Sequence, residues 1–395
     1  MGSIVLSSQS QATQNSFRLT GARSLLDIDV SDDKNITFME ELLGGSGTCD
    51  YTNNRIEMKA NGTGLVVYQT KEYFSPYSGS PMVCLMCANM NETNSLIDTG
   101  TVRLGFFDSH DTKVNDSTGC GVFLESVGGV LYLVKRTFTD VLDQVDVRIV
   151  QSSWNMDILD GSISSTNPSG HTLNSNDILV FVIEVDGMKG TRTGFVIDNQ
   201  VIYAHFFEDD VLPRKKLPIR MEVENTLSAY TASLYSLSIQ KEDLCNDRGV
   251  YRTISTDSAT LSVDSIDKYF CSVRLGVGYE RRTIRINTLG IVVLSDNIVF
   301  WKILLNAIPD TTTWIADGGI EVDQVATSVT GGTIVRSGFA RRSDKIGIHT
   351  ESNVISLPAL TSSIIGEPDT YTFQFSTVGN VDVDISVSIE AIEIL

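Results

Sequence analysis

The stretch Val381–Leu395, VDVDISVSIEAIEIL, decides the fold of this 395-residue chain. From Val381 to Ile389, apolar side chains alternate with acidic or hydroxyl side chains, and successive side chains of a β-strand point to opposite faces. The alternation therefore predicts a strand with one buried face and one wet, acidic face. After Glu390 the apolar phase shifts by one residue, to Ile392, which predicts a bulge or the end of the strand at this point.

Turn dipeptides stand between other alternating runs and predict that consecutive strands are antiparallel neighbours. Gly128-Gly129 divides GVFLESVGGVLYLV, and Asp198-Asn199 divides GFVIDNQVIYAHF. Asp186-Gly187 is a third such dipeptide, and these residue types tolerate the positive φ angles of a tight hairpin. Because helical periodicity is nearly absent, the sequence predicts an all-β protein of two antiparallel β-sandwich domains, jelly-roll or lectin-like.

Three regions are predicted along the chain. Residues 1–60 form a polar N-terminal arm and a loosely patterned lead-in, and we expect the arm to become ordered on binding neighbours. Residues 61–244 form the first β-sandwich domain and residues 245–395 the second, with the boundary in the charged stretch SIQKEDLCNDRGVY at 238–251.

The charge balance excludes some partners. Asp and Glu outnumber Lys and Arg by 49 to 30, a formal charge of −19, whereas nucleic-acid binding relies on basic side chains that neutralise phosphates. No run of 18 apolar residues occurs, so no membrane span is expected, and Gly290–Ile308 is interpreted as two strands and a turn. Six cysteines are too few for a disulfide framework, which favours buried thiols and assembly in a cytoplasm.

Motifs that carry chemistry are weak. CLMC at Cys84–Cys87 lies in an apolar run, where residues three apart on a strand point to opposite faces and cannot grip one metal ion. The four histidines have no metal-ligand spacing, and His205 is interpreted as a half-buried strand residue. No Gly-x-Ser-x-Gly nucleophile turn and no phosphate-binding glycine loop occurs. The sequence therefore predicts no catalytic residue, no metal and no cofactor.

The stretch WNMDILDG supplies the candidate site residues, Trp154, Asn155, Asp157 and Asp160. An indole beside such polar groups can stack on a sugar ring while the polar groups bind its hydroxyls. Alternatively, the indole anchors the core or an interface while the other three residues close turns. Glycan cleavage by a carboxylate pair is a third alternative. The anchor is favoured, because a chain with 49 acidic residues brings such neighbours together by chance.

The order of several motifs resembles a family of virion structural proteins encoded by tailed phages and large double-stranded DNA viruses. The motifs are LVVYQTKEYFSPYSGS at 65–80, VRLGFFD at 102–108, GVFLESVGGVLYLVKRT at 121–137, SSWNMDILDGSISSTNPSGHTL at 152–173, RTGFVIDNQVIYAHFF at 192–207 and LPIRMEVENT at 217–226. The matching positions are Trp154, Asn155, Asp157, Asp160, Gly161, Pro168, Ser169, Gly170, Gly194, Phe195, Asp198, His205, Leu217, Pro218 and Glu222.

The resemblance covers most of residues 61–245 and extends more weakly into VFWKILLN and TGGTIVRSGFA of the second domain. The chain departs from the family pattern by the extra residues SISST at 162–166 and by Asn199, where the family has Gly. Both departures fall in predicted loops.

The resemblance implies a minor capsid, spike or fibre component, assembled in the host cytoplasm and located in the virion. Capsid or other virion proteins would be its partners, and it would form a homo-oligomer, with a trimer expected from the habit of viral proteins. It implies no catalytic residues, so no enzyme is expected. The alternative function is a carbohydrate-binding receptor or adhesin module on the particle surface, with a glycan as ligand.

Overall fold

The computed structural model describes residues 22–30, 38–75, 81–92, 100–108, 119–138, 144–186, 190–208, 216–225, 229–242, 249–256, 260–279, 282–341, 357–363, 366–379 and 381–394. The chain divides into two compact units, unit 1 (Met1–Asn246) and unit 2 (Asp247–Leu395); the sequence had placed the division between residues 244 and 245. Within the described ranges, no helix is long and apolar enough to cross a membrane. The predicted N-terminal arm, up to residue 21, lies outside the described residues.

Unit 1 is built from two antiparallel sheets. Its strands are β1 (Ala22–Asp29), β2 (Met39–Gly44), β3 (Thr48–Thr52), β4 (Arg55–Ala60), β5 (Leu65–Thr70), β6 (Met82–Asn89), β7 (Thr101–Phe107), β8 (Gly121–Val127), β9 (Val130–Phe138), β10 (Gln144–Val150), β11 (Ile178–Asp186), β12 (Gly190–Ile197), β13 (Gln200–Phe207), β14 (Ile219–Glu224) and β15 (Tyr230–Glu242). Sheet I has the order β13-β12-β11-β6-β15-β4-β3, and β1 also pairs with β15. Sheet II has the order β10-β9-β8-β7-β14-β5-β2.

The core of unit 1 is formed by alternate residues of both sheets. Met82, Cys84 and Met86 from sheet I share one apolar cluster with Leu104 and Met221 from sheet II. Every described strand pair is antiparallel, as in a β-sandwich closed by hairpins. The all-β fold of antiparallel β-sandwiches predicted from the sequence is confirmed.

Two predicted hairpins are confirmed by their turn geometry. Gly128 and Gly129 have φ angles of 55° and 82° between β8 and β9, and Asp198 and Asn199 have φ angles of 51° and 62° between β12 and β13. Two consecutive residues with positive φ match the twist of the flanking strands. Asn adopts this conformation more readily than most non-glycine residues, so Asn199 can stand where the family pattern has Gly.

Strands β1 to β4, in the stretch that the sequence left as a loosely patterned lead-in, belong to the first sandwich. In β4, Ile56, Met58 and Ala60 alternate into the core and are fully buried. β4 carries charged residues between the apolar ones, because it has only one face against the core. β1 and β4 both pair with β15, which lies some 170 positions after β4, since Tyr230 pairs with Ala60.

Unit 2 is a second, smaller sandwich. Its strands are β16 (Gly249–Ser255), β17 (Leu261–Val263), β18 (Lys268–Leu275), β19 (Thr283–Val293), β20 (Ile298–Leu305), β21 (Ile308–Pro309), β22 (Ile315–Asp317), β23 (Ile320–Asp323), β24 (Val329–Thr330), β25 (Thr333–Arg341), β26 (Thr370–Thr377) and β27 (Val383–Ile394). Sheet III has the order β16-β27-β17, and β19 also pairs with β27. Sheet IV has the order β22-β23-β18-β26-β20-β25, and β21 pairs with β24.

The alternating stretch that opened the sequence analysis forms β27, the central strand of sheet III. Val383, Ile385, Val387 and Ile389 are buried as predicted. The strand does not end after Glu390, and the extra residue of a bulge lies in its neighbour β19, between Ile286 and Thr288. Beyond Glu390, alternate side chains of β27 still point inward. One of them is a buried glutamate, Glu393, so the alternation of apolar residues could not reveal it.

Candidate functional site

Trp154 packs into the core of unit 1 at the start of a loop, residues 154–177, that connects β10 to β11. Its indole is 3% exposed and stacks on the ring of Phe195, with 5.9 Å between centroids and 24° between planes. The indole Nε1 donates a hydrogen bond to the carbonyl oxygen of Ile149 at 3.2 Å. A ring held in this way is too buried to stack on a sugar, as the predicted anchoring role requires.

Asn155 joins this loop to the edge strand of sheet I. Its Nδ2 donates to the carbonyl oxygen of Phe206 at 2.9 Å, and its Oδ1 accepts from the Phe206 N–H at 2.8 Å. The Asn155 N–H also donates to Nδ1 of His205 at 3.2 Å. Burial lowers the pKa of His205, which favours the neutral ring that can accept this bond.

The next two residues continue along the same edge. The N–H groups of Met156 and Asp157 both donate to the carbonyl oxygen of Ala204, each at 3.1 Å. The loop therefore binds backbone groups of Ala204 and Phe206 in β13, the last strand of sheet I. Covering an edge strand in this way prevents it from pairing with another chain.

Asp157 closes the loop from the inside. Its carboxylate is 2% exposed and accepts from the N–H of Leu159 at 2.9 Å and from the N–H of Ser169 at 3.0 Å. Leu159 has a positive φ of 52°, an uncommon conformation for a branched side chain. The two bonds tie the start of the loop to a position twelve residues later and hold this strained turn in place.

Asp160 closes a second turn at the loop surface. It accepts from the N–H of Ser162 at 3.0 Å, from the Ser162 hydroxyl at 2.7 Å and from Nδ2 of Asn167 at 2.8 Å. These hydrogen bonds lower the pKa of Asp160 below its ordinary value, so the carboxylate stays ionised. The exposed tip that follows, residues 161–166, contains Ile163, whose side chain is 85% exposed.

The four residues singled out in the sequence thus lie together in one loop. Trp154 and Asp157 are buried, whereas Asn155 and Asp160 are exposed but bonded to the protein itself. The hydrogen-bonding groups described above are used to shape the loop, an arrangement that supports turns and anchoring.

A second cluster, which the sequence analysis did not identify, lies on the face of sheet II opposite the core. We call it the charged face, and it consists of Arg103, Glu125, Arg136, Asp146, Arg148, Arg220, Glu222 and Glu224. Strand pairing brings these residues together, because Arg103 on β7 lies opposite both Glu125 on β8 and Glu222 on β14.

Short ion pairs join the carboxylates of the charged face to guanidinium groups. Arg103 Nε lies 3.0 Å from Glu125 Oε1, and Arg103 Nη1 lies 2.5 Å from Glu222 Oε1. Arg220 Nη2 lies 2.6 Å from Glu222 Oε2, and Arg148 Nε lies 2.6 Å from Glu125 Oε2. Both glutamates are buried, so each needs such partners to remain charged.

The electrostatics argue against proton transfer at this face. Burial alone would raise the pKa of Glu222, but the guanidinium groups of Arg220 and Arg103 outweigh it and lower the pKa to about 2. Burial alone would lower the pKa of Arg103, but the carboxylates of Glu222, Glu125 and Glu224 outweigh it and raise that pKa. A general acid or base works best with a pKa near the operating pH, and Glu222 is far from that condition.

Arg136 adds an aromatic contact to the charged face. Its guanidinium lies 4.8 Å from the ring centroid of Phe123 and 5.6 Å from that of Phe107, and its Nε lies 2.8 Å from Asp146 Oδ1. A sequence signal for the face did exist: in IRMEVE, residues 219–224, charged and apolar side chains alternate strictly. This local pattern shows which residues share a face of β14, but their partners on β7 and β8 are set only by strand pairing.

The CLMC cysteines offer no reactive thiol pair. Cys84 and Cys87 of CLMC lie on β6, with Cys84 in the core, and burial raises the pKa of the Cys84 thiol to about 12. No group of three or more His, Cys, Asp or Glu side chains within the described ranges could hold a metal ion.

The chain is similar in fold to several solved structures. A legume lectin-like domain from Entamoeba histolytica matches 54% of this chain and 95% of its own length, at 10% identity and a TM-score of 0.36. An endo-1,3-beta-glucanase from Streptomyces sioyaensis matches 58% of this chain and 99% of its own, at 6% identity and a TM-score of 0.39.

A structure of botulinum neurotoxin type C, a toxin whose cell entry depends on interaction with two ganglioside molecules, is also similar. The match covers 92% of this chain and 93% of the toxin chain, at 11% identity and a TM-score of 0.35. No protein-family model matches the sequence, and no curated protein matches it. These likenesses concern the fold alone.

Proposed function

We propose that this chain is a non-enzymatic structural protein of a virion, the kind of protein that its motifs resemble. We further propose that it assembles through its second unit. The carrying observation is the uneven distribution of exposed apolar side chains. Among described residues, only Ile163 and Ile178 of unit 1 are large apolar side chains at least half exposed, whereas unit 2 has eleven: Tyr251, Ile266, Val277, Leu294, Ile308, Ile315, Val325, Ile334, Phe339, Val378 and Val381. Single exposed apolar residues are common on any protein surface, whereas a contiguous exposed apolar patch is typical of a protein–protein contact.

Two of these exposed residues, Phe339 and Val378, lie beside Ile298 and Phe300, which are less exposed. Phe300 on β20 and Phe339 on β25 lie side by side, with 5.3 Å between ring centroids. Ile298, two residues before Phe300 on the same face, accepts a backbone hydrogen bond from Val378 at 3.0 Å. We call these four residues the apolar patch. Its side chains would leave water when a second protein binds, which is the main driving force for association.

The non-enzymatic part of the proposal is supported by the charged face. Its two buried glutamates are both bound to arginines, and neither arrangement leaves a carboxylate poised to exchange a proton with a substrate.

Light scattering over a range of concentrations tests the proposal. We expect a native mass that is a multiple of 43.2 kDa, with the trimer as the expected state. Replacing Ile298 and Val378 of the apolar patch by Thr should shift the equilibrium towards monomer. The matched control replaces Ile163 and Ile178 of unit 1 by Thr and should leave the mass unchanged. A monomer at every concentration, or equal effects of the two variants, would contradict assembly through unit 2.

The virion setting needs its own measurement. Mass spectrometry of purified particles should detect the chain among the particle proteins, and its absence from them would remove the virion part of the proposal.

Carbohydrate binding is the second candidate, and the tip of the 154–177 loop favours it. The tip holds the ionised Asp160 carboxylate beside serine and threonine hydroxyls and the exposed Ile163. Fixed polar groups next to an apolar side chain suit a ligand that has both hydroxyl groups and C–H faces. A glycan array tests it: binding that is lost in Asp160→Asn and Ile163→Ser would support it, and no binding by the unmodified chain would exclude it for the glycans tested.

A further inference from the structure

We propose that copies of this chain join by strand pairing between β25 of one copy and β2 of the next. This inference rests on the proposed assembly and identifies the contact that makes it. Both strands are the last in their sheets, β2 in sheet II and β25 in sheet IV, and no other described strand pairs with the outer side of either. An uncovered edge is a ready template for a strand from another chain.

The two edges carry opposite charges. β25, TIVRSGFAR, has Arg336 and Arg341 and no acidic residue, and both arginines are exposed. β2, MEELLG, has Glu40 and Glu41 and no basic residue, and Glu41 is exposed. Copies that each carry a net charge of −19 repel one another at long range, so a contact between them needs local complementarity of this kind.

The spacing of side chains is also complementary. In an antiparallel arrangement with Glu41 opposite Arg336, the same register places Phe38, the residue before β2, opposite Phe339, because each lies three residues from the first pair. Phe38 is 42% exposed and Phe339 63% exposed. Opposite charges and aromatic pairs directly across two strands are both stabilising.

The contact joins two different strands. It forms once per neighbouring pair in a closed ring such as a trimer, or twice in a two-fold dimer in which each β25 pairs with the partner's β2. Self-pairing of two β25 strands would give a two-fold dimer without any β2–β25 contact.

Charge reversal and crosslinking test the inference in the full-length chain. Glu41→Arg or Arg336→Glu alone should weaken self-association about tenfold, and the double variant should restore it. Mixing a Phe38→Cys preparation with a Phe339→Cys preparation under mild oxidation should give a crosslink between the two introduced thiols, located by mass spectrometry. The control mixes Phe339→Cys with the unmodified chain, which retains its native cysteines.

The outcomes separate this inference from the proposed function. An oligomer that persists in both charge variants, or a crosslink only between two Phe339→Cys chains, would overturn β2–β25 pairing and leave assembly through unit 2 intact. A chain that stays monomeric at every concentration would overturn both.

Discussion

Arg103 and Glu222 form a 2.5 Å ion pair between neighbouring strands of sheet II, on the face turned away from the core. Glu222 is 4% exposed, and it also binds Arg220 through its other oxygen at 2.6 Å. One buried carboxylate thus binds two guanidinium groups. Removing the carboxylate would leave both without their main partner, which gives the first prediction.

Glu222→Gln should destabilise unit 1 by about 3 kcal/mol at neutral pH, because breaking a buried ion pair leaves an uncompensated charge. The measurement is the urea midpoint of unfolding. Glu224→Gln is the matched control, since Glu224 binds the same Arg103 at 3.2 Å but is 48% exposed, and a loss below about 0.5 kcal/mol is expected there. Equal losses would contradict the assigned role of Glu222.

The lowered pKa of Glu222 also predicts that the folded chain loses stability at acidic pH. The pKa of Glu222 is about 2 in the folded chain, against an ordinary value of 4.5, so its contribution is fully present above pH 4.5. That contribution is lost as the pH falls from 4.5 towards 2. The urea midpoint of the unmodified chain should therefore fall through this window more steeply than that of Glu222→Gln. Parallel curves would show that other carboxylates account for the acid sensitivity.

Unit 2 has a comparable buried glutamate. Glu393 is 1% exposed, pairs with Arg282 and lies 3.5 Å from Nη2 of Arg252. Because both arginines are partly exposed, Glu393→Gln should cost about 2 kcal/mol, less than a fully buried pair would. Asp317→Asn is the control, because Asp317 binds Arg252 at 2.7 Å but is 61% exposed. The loss of unfolding free energy in this variant should be small. Thermal unfolding measures both, and a neutral Glu393→Gln would contradict the prediction.

Trp154→Ala should destabilise unit 1 by about 3–5 kcal/mol, the usual result of truncating a buried aromatic side chain. Trp154→Phe keeps a ring against Phe195 and should lose clearly less. Guanidinium unfolding followed by circular dichroism separates the two variants. An Ala variant as stable as the unmodified chain would show that the indole does not anchor the loop.

Asn155→Ala should open the covered edge of sheet I. Both side-chain hydrogen bonds to Phe206 would be lost, and hydrogen exchange at the Phe206 amide should become faster. Ser162→Ala, which removes a hydroxyl from the exposed tip of the same loop, should leave that amide protected. If protection at Phe206 is unchanged in Asn155→Ala, the loop does not depend on this contact.

Local chemistry explains which parts of the fold could be predicted from the sequence. Gly128-Gly129 and Asp198-Asn199 specify their turns through their own backbone preferences, and the alternation in β27 depends on the two faces of one strand. Both kinds of signal are contained in a few consecutive residues. The anchoring role favoured for Trp154 rested on the same kind of local reasoning and stays a prediction until its variants are measured.

Long-range pairing explains what could not be predicted. Arg103 and Glu222 are 119 positions apart, so the charged face exists only once β7 and β14 are neighbours. Glu393 points inward from β27 although it is charged, because Arg252 and Arg282 bind it from other parts of the chain. Strands β1 and β4 were left unassigned for the same reason, since their common partner β15 is far away in sequence.

The loop that covers β13 also bears on how such a protein tolerates crowding. If the chain assembles as proposed, many copies accumulate together, and bare β-strand edges would then pair with one another in unintended ways. Asn155, Met156 and Asp157 bind Ala204 and Phe206 of β13, so this part of the edge of sheet I offers no template to another copy. The loop is thereby a safeguard against disordered polymers, and damage to it should appear as lost solubility during expression before any change in the folded structure.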